Sequence, residues 1–159
     1  MGYGRFAAMI ATSTVVMYGL MYLNTYALDH VWFSQTRFWM ALLMGAVMAM
    51  IMLGFMWGMY RRPQLNLMIL GAALAVFAGS LWLMRSQETV GDVAYMKAMI
   101  PHHSIAIMTS KRAQISDPRV RKLANEIIDA QVREIGEMKG LVADIEAHGD
   151  APGALEPVR

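Results

Sequence analysis

Asp92-Val-Ala-Tyr-Met-Lys-Ala-Met-Ile-Pro-His-His-Ser-Ile-Ala-Ile-Met-Thr-Ser-Lys-Arg-Ala-Gln114, closed by Ile115-Ser-Asp-Pro118, reads as one helix and the signal that turns the chain back on itself. Met96, Met99/Ile100, His103, Ile107 and Ser110 recur at helical spacing, so a histidine falls within the apolar stripe. Asp92 is suited to cap the start of this helix. Asp117 or Ser116 caps the next, and Pro118 fits its first turn, where a missing N–H costs nothing. The second helix should run to about His148, where Gly149 ends it. Its inward stripe reads Val120, Leu123, Ile127, Gln131, Glu134/Ile135, Met138, Leu141/Val142 and Ile145. Two antiparallel helices cannot bury both apolar faces by themselves. A second copy, completing a four-helix bundle across a homodimer, is the economical cover; a membrane surface or another subunit is the rival.

Upstream of this hairpin the chain changes character. It is 57% hydrophobic over 159 residues, with a mean hydropathy of +0.37, and that apolar content is concentrated before Arg85. Between Phe6 and Tyr60 the acids and bases are limited to Asp29, His30 and Arg37. Three stretches, about Phe6–Leu28, Phe38–Tyr60 and Leu65–Met84, approach or exceed the roughly 20 residues that cross a bilayer. Aromatic residues gather near their ends, as at headgroup level. Arg5, Arg61 and Arg62 on one side outweigh Arg37 and Arg85 on the other. The N-terminus is therefore expected in the cytoplasm and the hairpin in the periplasm of a bacterial inner membrane. The expected organisation is all-α: a three-span transmembrane domain (1–85), a helical-hairpin domain (86–148) and a flexible tail (149–159).

Charge and composition exclude several classes. A net charge of +2, scattered along the chain, makes no nucleic-acid surface. The absence of cysteine removes disulfides, zinc–thiolate sites and iron–sulfur clusters. Methionine, by contrast, is abundant, at 17 residues. Met40, Met44, Met48, Met52 and Met56 step every fourth residue through the second stretch, which packing alone would explain.

Imidazole with thioether is a ligand set for copper, and thioether selects Cu(I) over Cu(II). Met99 lies three and four residues before His102 and His103, with Met96 one turn earlier and Met108 further on; helix neighbours at this spacing share a face. Pro101 removes a backbone hydrogen bond just before the pair and should kink the helix. On the second helix Gln131, Glu134 and Met138 repeat the spacing, placing a polar amide, a carboxylate and a soft sulfur on the inward stripe. Antiparallel packing brings the two groups to the same level. The bland alternative is histidine and methionine in an ordinary helix interface. Di-iron chemistry is disfavoured because no Glu-x-x-His occurs, and no nucleophile elbow is present for hydrolysis. Asp29 and His30, beside Tyr26, could contact copper, dock the hairpin, or simply cap and be solvated.

The run Tyr95–Met108, followed by Ala124–Met138, resembles the ferritin-like family known as domain of unknown function 305, over about residues 91–146. The resemblance implies a helical bundle, exported or membrane-anchored bacterial relatives linked to copper, and metal contacts from Met99, His102, His103 and Met108 with Gln131, Glu134 and Met138. Many relatives carry two hairpins where this chain has one, which again favours a dimer. The expectation is a non-enzymatic, membrane-anchored copper-binding protein that buffers copper, confers tolerance, or delivers the metal to an accepting protein. The alternative is a structural or assembly subunit of a larger membrane complex.

Overall fold

The computed structural model describes residues 2–151 and 153; most of the tail expected from residue 149 lies outside the described residues. Among them there are five α-helices and no strand: α1 (Tyr3–Leu20), α2 (Gln35–Phe55), α3 (Pro63–Ser86), α4 (Asp92–Arg112) and α5 (Pro118–His148). Short 3-10 turns occupy Leu28–His30 and Trp57–Met59. Contacts divide the chain into two units. One comprises residues up to Asn24 with Ser34–Val90, and the other comprises Thr25–Phe33 with residues from Gly91 onward.

In the first unit, α2 and α3 are long and apolar enough to cross a membrane by length and composition. The first of the three expected spans, about Phe6–Leu28, is corrected: its helix does not meet the same measure. The helix α1 stops at Leu20 after 18 residues, about 27 Å at 1.5 Å per residue, and residues 21–27 are not helical. Arg5, Tyr18 and the run Thr12-Ser13-Thr14 also dilute its hydropathy. Its end is tied off by Arg37, whose guanidinium donates to the Met21 carbonyl at 2.7 Å and lies 4.5 Å over the Tyr22 ring. That contact satisfies a carbonyl that the broken helix leaves open. The helix α2 is capped by Ser34, whose hydroxyl accepts from the Arg37 N–H at 3.3 Å.

The methionine ladder serves packing in part: Met52 and Met56, with Met50 beside the ladder, lie against a cluster of Phe6, Ala49, Leu53, Tyr60 and Ala73. Asn66, fully buried, donates to the Tyr60 carbonyl at 3.1 Å and accepts from the Tyr3 hydroxyl at 2.8 Å. Its polar groups are thereby satisfied.

Small residues let α1 approach α2 closely. A Cβ at Gly45 would sit 2.3 Å from Thr14 Oγ1, which is held by its own bond to the Ile10 carbonyl at 2.9 Å. Gly45→Ala is expected to destabilise this unit by about 1–3 kcal/mol through overpacking. Adding Thr14→Ala should recover most of the loss. Thermal unfolding in detergent of both variants tests this; equal losses in the single and double variants would contradict it.

The hairpin follows its sequence signals closely, with two shifts. Gly91 rather than Asp92 occupies the N-cap of α4, leaving Asp92 in the first turn, where its charge favours the helix dipole. The helix α4 also ends at Arg112, not Gln114. Asp117 caps α5, accepting from the Arg119 N–H at 2.8 Å, and Pro118 opens it. Gly149, at φ +81°, follows its last residue, His148. Pro101 does not break α4, which continues through it with the proline ring buried.

The cover of this hairpin comes partly from its own chain. Ile100, Ile107 and Ile135 form the core, and Trp32 of the Thr25–Phe33 segment packs against it together with Ile128 and Met138. The buried stripe of α4 is Met96, Ile100, Pro101, Ser104 and Ile107. It is therefore turned by one position from the expected one: Ser104, not His103, is its innermost polar residue. On α5, Ala124, Ile135 and Val142 are buried. Val120, Leu123 and Leu141, expected inside, are exposed.

Candidate functional site

His103 stands at the edge of the α4 stripe, facing α5. Its Nδ1 is 3.1 Å from Glu134 Oε2, out of line for a hydrogen bond, so the buried nitrogen lacks one. Burial lowers the basicity of this imidazole below its ordinary value; the Glu134 charge pulls the other way, and His102 adds to the depression. The ring is thus biased toward its neutral, ligand-competent form. His102, one residue before it, is exposed. The two ring centroids are 6.2 Å apart and the planes 62° from each other. Successive helix positions differ by about 100°, so both histidines of such a pair cannot face inward.

The other expected residues are distributed around this pair. Met99, one turn before His103, is half-buried, and Met138, one turn after Glu134, is half-buried against the isoleucine core. Gln131 and Met108 are half-buried, and Met96 is buried in the core stripe. Among the described residues no three of His, Asp and Glu converge in a way that could hold a metal ion. The sulfur donors nearest in sequence to the His103–Glu134 pair are Met99 and Met138, and imidazole with thioether is a donor set that suits Cu(I).

A second polar cluster, centred on Ser104, was not legible as such in the sequence. Ser104 has no exposed surface. Its hydroxyl accepts from the Tyr26 backbone N–H at 2.7 Å and lies 2.9 Å from His30 Nδ1. The hydroxyl donates to Nδ1 when the imidazole hydrogen is on Nε2 and accepts from Nδ1 when the hydrogen is there. Asp29 Oδ2 is 3.8 Å from that Nε2 and 2.6 Å from Lys139 Nζ on α5. The Trp32 indole donates to the Asp29 carbonyl at 2.9 Å, and Lys111 donates to the Tyr26 hydroxyl at 2.9 Å. Of the roles open to Asp29 and His30, docking is the one realised. Although Ser, His and Asp stand in sequence here, a serine with no exposed surface meets no substrate. The cluster is a clasp.

Its pH response follows from burial. His30 is held below its ordinary 6.5 chiefly by desolvation; Asp29 opposes this and Lys139 reinforces it. With the folded value below the unfolded one, the clasp contributes fully above about pH 6.5 and weakens as pH falls toward the folded value. Hydrogen exchange across Thr25–Phe33 is expected to accelerate between about pH 7 and pH 5, beyond the intrinsic exchange trend. Protection that stays flat after that correction would remove His30 from the clasp.

Residues 92–156 match the family described as Domain of unknown function (DUF305). The DUF305 segment starts at the first residue of α4 and covers all of α5. The three helices of the first unit and the Thr25–Phe33 segment lie outside it. Over 64 residues the chain is 41% identical to the uncharacterized protein L153 of Acanthamoeba polyphaga mimivirus. That similarity covers 39% of this chain and 42% of the viral one, so the chain spans less than half of the relative's length. No solved structure matches the chain.

Proposed function

We propose that this chain is a membrane-anchored copper-binding protein without catalytic activity, in which the DUF305 hairpin takes up copper, as Cu(I) in preference to Cu(II). The observation that carries the reading is the half-buried, neutral-biased His103 imidazole held against Glu134 at 3.1 Å. A small rotation of the ring would align Nδ1 with Glu134 as the carboxylate partner that orients a metal-binding histidine, leaving the other nitrogen for the metal. Met99 on α4 and Met138 on α5 lie one turn from this pair and supply the soft donors; His102, Gln131, Met96 and Met108 are secondary. The apolar helices α2 and α3 would anchor the hairpin at the periplasmic face of a bacterial inner membrane, with their connecting turn in the cytoplasm and the N-terminus beside it, where Tyr3 bonds Arg62. There it would buffer copper, protect the cell, or hand the ion to an accepting protein. The exposed Val120, Leu123 and Leu141 of α5 favour a homodimer. They equally suit the second reading, a structural subunit within a larger membrane complex.

Metal content of the full chain purified from copper-supplemented cells, with anaerobic Cu(I) titration against a competing chelator, tests the proposal. Stoichiometric copper that the chelator removes only slowly is expected. Protein that purifies metal-free with stoichiometric partner subunits would support the second reading instead.

A further inference from the structure

In the first unit α2 carries the packing to both α1 and α3, and an open groove of about 640 Å³ runs between the outer two helices. Its floor is Gly45, Ala46 and Ala49 of α2, and its walls include Ile10 and Ile69. Apart from Tyr3 and Thr14 the lining is apolar, so it offers nothing to a polar solute. The end marked by Tyr3 is different. The Tyr3 hydroxyl meets the Arg62 backbone N–H at 3.3 Å, and Arg5, Arg61 and Arg62 are all exposed. The single acidic residue of this unit, Glu88, follows the far end of α3. The end of the apolar trough at Tyr3 is thus near three exposed arginines that do not line it, on a unit whose one acidic residue is at the far end.

We infer that this groove binds one molecule of anionic phospholipid: an acyl chain lies over the Gly45–Ala49 floor and the phosphate meets Arg61 and Arg62. The charge pattern selects this occupant. Cationic residues at the end of a membrane-embedded helix attract anionic headgroups, and arginine pairs bidentately with phosphate. A second copy fits less well, because two copies in one membrane share an orientation. Seating them groove to groove would bring both arginine sets together without an acid between them. The inference rests on the membrane reading given above.

The full chain, purified in mild detergent and offered equimolar phosphatidylglycerol and phosphatidylcholine, is read by native mass spectrometry. One phosphatidylglycerol per chain is expected, with a preference of roughly tenfold. Arg61→Gln with Arg62→Gln should bring the two lipids to parity. Ala72→Phe, which narrows the groove, should lower retention of both lipids while helix content by circular dichroism is unchanged. Equal retention of the two lipids by the unaltered chain overturns the inference. So does a preference that survives the arginine changes, or a lipid-free dimer. Carbonate washing of membranes separates the two levels: a chain released by carbonate overturns the membrane reading and this site together. A chain that stays embedded without a lipid preference overturns the site alone.

Discussion

Replacing Ser104 by alanine is expected to loosen the hairpin unit by about 2–3 kcal/mol and to release Thr25–Phe33 from it. The hydroxyl serves two partners at once, the Tyr26 N–H at 2.7 Å and His30 Nδ1 at 2.9 Å. Removing it leaves the Tyr26 N–H and His30 Nδ1 unpaired where water has little access. Each such group costs roughly 1–3 kcal/mol when fully buried, and partial exposure of Tyr26 and His30 brings the sum to the lower end. The Asp29–Lys139 pair cannot substitute, because Asp29 is largely exposed and a surface pair contributes about 1 kcal/mol at most. Asp29→Asn should therefore be nearly silent. Hydrogen exchange at the Tyr26 amide is the direct readout, alongside the unfolding midpoint of the intact chain. Unchanged Tyr26 protection in Ser104→Ala would refute the clasp.

The second large effect concerns His103. If its imidazole binds copper directly, His103→Ala should weaken Cu(I) binding by more than about 100-fold. The reference point is Glu134: loss of a carboxylate that only orients a metal-binding histidine costs roughly 10–100-fold, and a direct ligand should cost more. Glu134→Gln is accordingly placed at about tenfold or somewhat beyond. His102→Ala should fall well below both, since that ring is exposed and diverges from its neighbour. Met138→Leu, which keeps the volume against Ile100, Ile107 and Ile135 while removing the sulfur, separates ligation from packing. Anaerobic competition titrations on the four variants give the ranking. Equal affinities for His102→Ala and His103→Ala would defeat the assignment of His103 as the principal nitrogen donor.

The hairpin was legible because its signals are local. Asp117, Pro118 and Gly149 act through backbone groups within a few residues of themselves, and periodicity needs only one turn of helix. The rotation of the α4 stripe is a one-position matter: His103 and Ser104 are neighbours, and either fits a helical repeat. The structure separates them because Ser104 is small enough to sit under a loop. What periodicity could not reveal is that loop's destination. The bonds from Thr25–Phe33 to α4 and α5 join residues 74 to 110 positions apart, a separation at which no local pattern carries information. Tyr26, Asp29 and His30 were noticeable as polar residues at the edge of an apolar stretch, which marked them without saying what they touch. The early end of α1 was hidden for a related reason. Apolar residues recur past Leu20 as far as Leu28, and the contact that ties off the helix end, from Arg37 to the Met21 carbonyl, joins residues 16 positions apart. Within the candidate site the His-His dipeptide overstated its case, since helix geometry alone permits one inward imidazole.

The clasp also sets an order in time. Residues Thr25–Phe33 leave the ribosome long before their partner: 74 residues separate His30 from Ser104, about 4–15 s at ordinary translation speeds of 5–20 residues per second. For that interval Trp32 has no isoleucine core to dock on, and the segment is open to chaperones and proteases. Conversely, a peptide beginning at Gly91 would carry the whole matched domain yet expose the isoleucine core that Trp32 covers. Solubility and folding of the excised hairpin are therefore poor guides to its behaviour in the intact chain. Supplying Thr25–Phe33 in trans as a synthetic peptide would restore what the excision removes.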